Sequence, residues 1–175
     1  MNIADMYIDK AIFKKFGGYD TGEGVSFDYK SDLDTTVTIL GDVGETEITE
    51  IGKIIPKIGG ELFRISIGAN YNPASEYRRD DEPPSAILYL YENENLISQT
   101  DKIYFDYLGN DSKDRYYRVA TRVKLKPFCT YTVAGKFFPS PRMTKYNNTA
   151  IVDLGISISG SIVDNTDAYF NVITK

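Results

Sequence analysis

Three observations predict an all-β fold, an antiparallel sandwich or barrel. Apolar residues alternate with polar ones at period two along much of the chain, and no segment sustains a helical period. Glycine, proline and Asn/Asp clusters punctuate these runs as turn signals do. Fourteen tyrosines and nine phenylalanines, without tryptophan, join many β-branched residues, and both types pack well on pleated surfaces. At 175 residues the chain is expected to form one domain with a full core, divided into an arm or short helix over 1–16 and a sandwich over 17–175.

The elements follow in order. MNIADMYIDKAIFKKF (1–16) places Ile3, Met6, Tyr7 and Phe13 loosely on one side, as a short helix or a docked arm would. Val25, Phe27 and Tyr29 form the first file, and Leu33, Thr35, Val37 and Ile39 resume it after a break. Phe63, Ile65, Ile67 and Ala69 share one face of a long strand, with Arg64, Ser66 and Gly68 on the other. AILYLY (86–91) is apolar on both faces, as a central strand is. Tyr117, Val119, Thr121, Val123 and Leu125 form a file facing Arg118, Ala120, Arg122 and Lys124. Cys129, Tyr131, Val133 and Phe137 make another, and Pro139 and Pro141 are expected to end it. AIVDLGISISG (150–160) has the most regular alternation, burying Ala150, Val152, Leu154, Ile156 and Ile158 and turning Asp153 outward to solvent or a basic neighbour. Gly155 on that strand marks a bulge or a close backbone approach. Ala168, Phe170 and Val172 form a last strand.

Composition excludes several functions. A net charge of −5 argues against a nucleic-acid footprint, and no apolar run has the length of a membrane span. The basic group Arg115, Arg118, Arg122, Lys124 and Lys126 reads as a solvated strand face. The N-terminal residues carry charges within their apolar stretch, unlike a secretory leader. Histidine is absent, which removes histidine-based triads, histidine acid–base catalysis and His-containing zinc sites. The single Cys129 lies on an apolar file and is expected to be a buried, inert thiol. GGYDTGEG (17–24) lacks the Gly-Lys-Ser/Thr ending of a phosphate loop. Asp28, Asp106 and Asp153 are the acids a glycosidase would draw on, but strand-end carboxylates mostly face solvent. DLD (32–34), GDVGETE (41–47) and GNDSKD (109–114) offer hard oxygens of the type calcium takes, without matching an EF-hand loop. The expectation is a protein that is not an enzyme, with no cofactor and no metal.

Three segments in combination carry a family resemblance: IGKIIPKIGGELFRISIGANY (51–71), DRYYRVATRVKLKPFCTYTVAGKFF (114–138) and NNTAIVDLGISISGS (147–161). Their order is similar to that of the galactose-binding-like jelly-roll modules, many of which bind carbohydrate. The resemblance implies a jelly-roll sandwich. It departs at the tryptophan platforms common in that family, which tyrosines would have to replace here.

The most distinctive loop is YNPASEYRRDDEPP (71–84). Its length and its residue types mark a candidate interface at Tyr71, Tyr77, Arg78, Arg79, Asp80 and Asp81. The absence of a catalytic set, the missing leader and the many tyrosines and polar loops lead to one expectation. The chain is a non-catalytic virion protein of a virus or bacteriophage (an auxiliary capsid, collar or fibre-associated decoration), made in the host cytoplasm. Its partners would be other virion proteins or itself, with neither nucleic acid nor membrane. The alternative is a carbohydrate-binding module that stacks tyrosines on sugar rings.

Overall fold

The computed structural model describes residues 19–20, 25–56, 60–73, 83–105, 115–162 and 170–174. They form twelve strands: β1 (Tyr19–Asp20), β2 (Val25–Lys30), β3 (Thr35–Leu40), β4 (Thr49–Pro56), β5 (Gly60–Pro73), β6 (Ser85–Glu92), β7 (Asn95–Gln99), β8 (Ile103–Tyr104), β9 (Arg115–Leu125), β10 (Tyr131–Phe138), β11 (Thr149–Ile162) and β12 (Phe170–Thr174). One short helix, α1 (Pro141–Tyr146), joins β10 to β11. The expected arm or helix at 1–16 lies outside the described residues.

Two antiparallel sheets pack face to face, so the fold is an all-β sandwich. The first has the order β1-β2-β11-β5-β9, with β3 also on β11. The second runs β12-β4-β10-β6-β7, with β8 also on β6. The ladders β2·β11, β4·β10, β5·β9 and β6·β7 are nested in sequence, each inside the one before.

The core lies between the sheets. The β11 file Ala150, Val152, Leu154, Ile156 and Ile158 is buried, as its alternation requires. It shares one cluster with Ile65 and Ile67 of β5, Leu88 and Leu90 of β6, and Tyr131, Val133 and Phe137 of β10. Phe105 plugs the core, with its ring edge-on to Tyr117 at 5.4 Å and stacked near Phe137 at 6.1 Å.

Strand β11 is paired on both sides. β5 follows one side from Ala150 to Ile162. The other side is shared, with β3 along Thr149–Leu154 and β2 along Ser157–Ile162. Residues 31–34 loop out between β2 and β3 opposite Gly155 and Ile156. Ser31 stitches the gap: its amide donates to the Ile156 carbonyl at 2.8 Å, and its Oγ accepts from the Ile156 amide at 2.8 Å. A Cβ at Gly155 would lie 2.5 Å from the Asp32 carbonyl oxygen and 2.7 Å from Ser31 Oγ. Its cross-strand partner Gly68 is roofed in the same way by Leu33 and the Tyr116 ring. Gly155 is therefore a close-approach glycine.

Several expectations are corrected. Asp153 faces outward but is half-buried, and its partner among the described residues is a hydroxyl rather than a cation: Thr36 Oγ1, on the adjacent β3, donates to Asp153 Oδ1 at 2.7 Å. Cys129 is half-buried against the core edge, less enclosed than its apolar file implied. The Pro139–Pro141 stretch does more than end a strand, because it opens α1. Ser140 accepts from the Met143 amide as N-cap, Pro141 sits in the first turn, and Asn147 closes the helix in the left-handed region at φ 50°. β4 (Thr49–Pro56) is not among the strands expected from alternation. Ile51 is an extra residue opposite β10, and this bulge hides the alternation.

The β9 file breaks too. A register shift opposite Ile65 and Ser66 leaves Val119 as an extra residue. Ala120 is then buried, Thr121 is exposed, and Arg122 takes φ 53°. β9 pairs with β5 alone among the described strands, so these kinks fall on an edge strand.

Gly155→Ala should destabilise the protein by about 1–3 kcal/mol, because the atoms it meets are held by the Ser31 stitch. A Tm drop of several degrees in thermal unfolding is expected, and an unchanged Tm would contradict the close approach.

Candidate functional site

A cluster of cations lies where edge strands of the two sheets face each other. β9 is an edge of the first sheet and β7 an edge of the second, and between them runs a cleft of about 580 Å³. Its floor is apolar, with Leu90, Val119 and Ala120 buried and Ile97 exposed at the β7 side. Its cationic wall comes from β9 and the turn after it: Arg118, Arg122, Lys124 and Lys126. The freed bulge carbonyl of Val119 accepts from Ser98 Oγ at 3.4 Å, a thread that ties the two edges across the cleft.

One of the four cations is matched. Lys126 Nζ lies 2.7 Å from Glu92 Oε1. This hydrogen bond holds the Glu92 carboxyl below the usual carboxylate range and raises the Lys126 ammonium. Among the described residues, no carboxylate pairs with Arg118, Arg122 or Lys124. Three cations in one cleft with no carboxylate partner among the described residues stand out on a chain whose net charge is −5. Two guanidinium groups beside an apolar floor suit a carboxylate-bearing chain, which they bind through forked hydrogen bonds.

The end of the cleft is anchored from within. Tyr131, on β10 of the second sheet, is 0% exposed, and its hydroxyl reaches the first sheet. The hydroxyl accepts from the Lys126 amide at 2.8 Å and donates to the Lys124 carbonyl at 3.1 Å. It thereby holds the backbone that carries Lys124 and Lys126. Burial pushes the Tyr131 hydroxyl up to about 12. In the turn beyond, Phe128 stands 76% exposed at φ 62°, its amide donating to the Pro56 carbonyl at 2.7 Å. A bulky residue in the left-handed region is a strained conformation that the surrounding fold must hold.

A second cleft, of about 600 Å³, lies by α1. Pro83, Pro139 and Pro141 flank Tyr104, which is 55% exposed. Lys102, on its rim, sits 4.3 Å over the Phe138 ring.

Of the interface residues expected from the sequence, Tyr71 lies in β5, paired in register with Val152. Tyr77, Arg78, Arg79, Asp80 and Asp81 lie outside the described residues. The basic group expected as a solvated strand face is exposed throughout, and four of its five members, all but Arg115, also line the cleft. Their spacing in β9 carried the charge signal, but the opposing wall comes from β6 and β7, far off in sequence. The calcium-type loops at 32–34 and 41–47 bring no three carboxylates together among the described residues, and 109–114 lies outside them. No protein-family model matches this chain, and no curated protein matches it.

Tyr131→Phe should cost about 1–3 kcal/mol by stranding the Lys126 amide and the Lys124 carbonyl. The hydroxyl titrates higher in the fold than its ordinary value of 10.0, so its contribution is complete below pH 10 and fades toward pH 12. Urea unfolding across that window should show the gap between wild type and Tyr131→Phe narrowing as pH rises. A gap that stays constant would contradict the buried hydroxyl.

Proposed function

We propose that this chain is a non-catalytic structural protein of a virus or phage particle, an auxiliary capsid, collar or fibre-associated decoration acting through protein–protein contacts. The observation that carries this reading is the pair of edges, β7 and β9, with a cleft between them in which Arg118, Arg122 and Lys124 have no carboxylate partner among the described residues. Such a surface suits a docked protein segment, since it offers unpaired strand edges, an apolar floor and forked cationic donors together. The nested ladders support reading the sandwich as a jelly roll, because wrapping one long hairpin about itself pairs strands in that nested order. Jelly rolls serve as capsid and lectin domains, which makes the architecture compatible with the role without assigning it. In this reading the protein is made in the host cytoplasm and joins the particle through other virion proteins or copies of itself.

One observation favours a second reading, carbohydrate binding. Tyr104 stands exposed among three prolines in the α1 cleft, a flat apolar platform on which a sugar ring could stack.

Quantitative mass spectrometry of purified particles from the source separates the two. The structural reading expects the chain in fixed ratio to a capsid or tail protein, and its absence from particles contradicts it. The glycan reading expects Tyr104→Ala to abolish binding on a glycan array, and a wild-type chain that binds no glycan removes it.

A further inference from the structure

We infer that the basic cleft between β7 and β9 receives the acidic β3–β4 loop of a second copy of this chain, in a head-to-tail contact. This deepens the structural role proposed above and rests on it only for its biological setting.

The loop, 41–48, reads GDVGETEI. Asp42, Glu45 and Glu47 are exposed, and so are two apolar side chains, Val43 at 43% and Ile48 at 52%. Glu45 is engaged by Lys136 at 2.7 Å. Asp42 has no cationic ion-pair partner among the described residues, and Glu47 interacts with the Lys136 ammonium only at longer range than Glu45 does. Carboxylates beside exposed aliphatic groups are the complement of the cleft, which sets Arg118, Arg122 and Lys124 above Leu90, Ile97 and Val119.

The loop cannot fill its own cleft. It is fastened at the far end of β10, where the Thr46 amide donates to the Phe137 carbonyl at 2.9 Å and Thr46 Oγ1 accepts from the Phe137 amide at 3.0 Å. The cationic end of the cleft lies by Tyr131, at the opposite end of the same strand. Along an extended strand the separation from Tyr131 to Phe137 is about 20 Å. The match is therefore available only between molecules. Because the two patches differ, the contact is heterologous, and it propagates into a closed ring or an open chain.

Light scattering on the purified chain tests this. The wild type should show a mass that rises with concentration past that of a dimer and falls with added salt, as screened charges require. R118E/R122E should weaken association by about 100-fold or more, because it sets like charges face to face. D42N/E47Q should weaken it as well. Mixing the two variants should give a one-to-one complex that grows no further, since one keeps a working loop and the other a working cleft. Circular dichroism checks that each variant is folded, and if the cleft variant is not, D42N/E47Q alone carries the test. A wild type that stays monomeric, a dimer indifferent to D42N/E47Q, or a mixture that forms no complex overturns the inference. The mass measurement concerns the contact and particle composition concerns the role, so the two fail separately.

Discussion

Everything else in this fold depends on β11 being hydrogen-bonded along both sides while it buries a complete apolar file. The file fixes register, because a slip by one residue would put Ala150, Val152, Leu154, Ile156 and Ile158 into solvent. Register then places Gly155 against Gly68 and under the Ser31–Leu33 crossing, where the backbones come too close for side chains. With one flank of β11 taken by β2 and β3, β5 must take the other, and β9 is left outside β5 as an edge. The position of the cleft follows from how the strongest strand of the molecule is paired.

An unprotected edge invites uncontrolled pairing, and β9 carries the usual safeguards: a bulge at Val119, a left-handed residue at Arg122, and a row of cations. These features keep a flat strand from adding at random. In the role proposed above, the same edge also presents forked donors over an apolar floor to a partner with matching carboxylates. The Tyr131 hydroxyl makes the arrangement rigid by holding the β9–β10 connection from inside the core.

Much of the architecture was legible in the sequence where a strand obeys period two. AIVDLGISISG and the file through Tyr131 and Phe137 emerge as β11 and β10 with the expected faces buried, while AILYLY emerges as β6 with one face buried, at Ala86, Leu88 and Leu90, and the other, at Ile87, Tyr89 and Tyr91, only half-buried. Legibility failed where the backbone departs from that period. The bulge at Ile51 hid β4, and the kinks at Val119 and Arg122 exchanged the faces of Ala120 and Thr121. Pro139 and Pro141 signal only a strand ending in the sequence, and the helix appears through its caps, Ser140 and Asn147, on either side of α1. The partner of Asp153 was out of reach because Thr36 lies more than a hundred positions away and only register brings it opposite. The cleft was half legible: its charges are written in β9, while its existence depends on which strand of the other sheet lies across from it.

The dependence of the open edge on the doubly paired strand is best tested by native-state hydrogen exchange at a dilution where the chain is monomeric. The amides of β11 should exchange only with global unfolding, including that of Ile156, which is satisfied by a serine hydroxyl. The outward-facing amides of β9 and β7 should exchange far faster. If the β9 and β7 edge amides proved as protected as those of β11, the edges would be covered and the cleft would not exist.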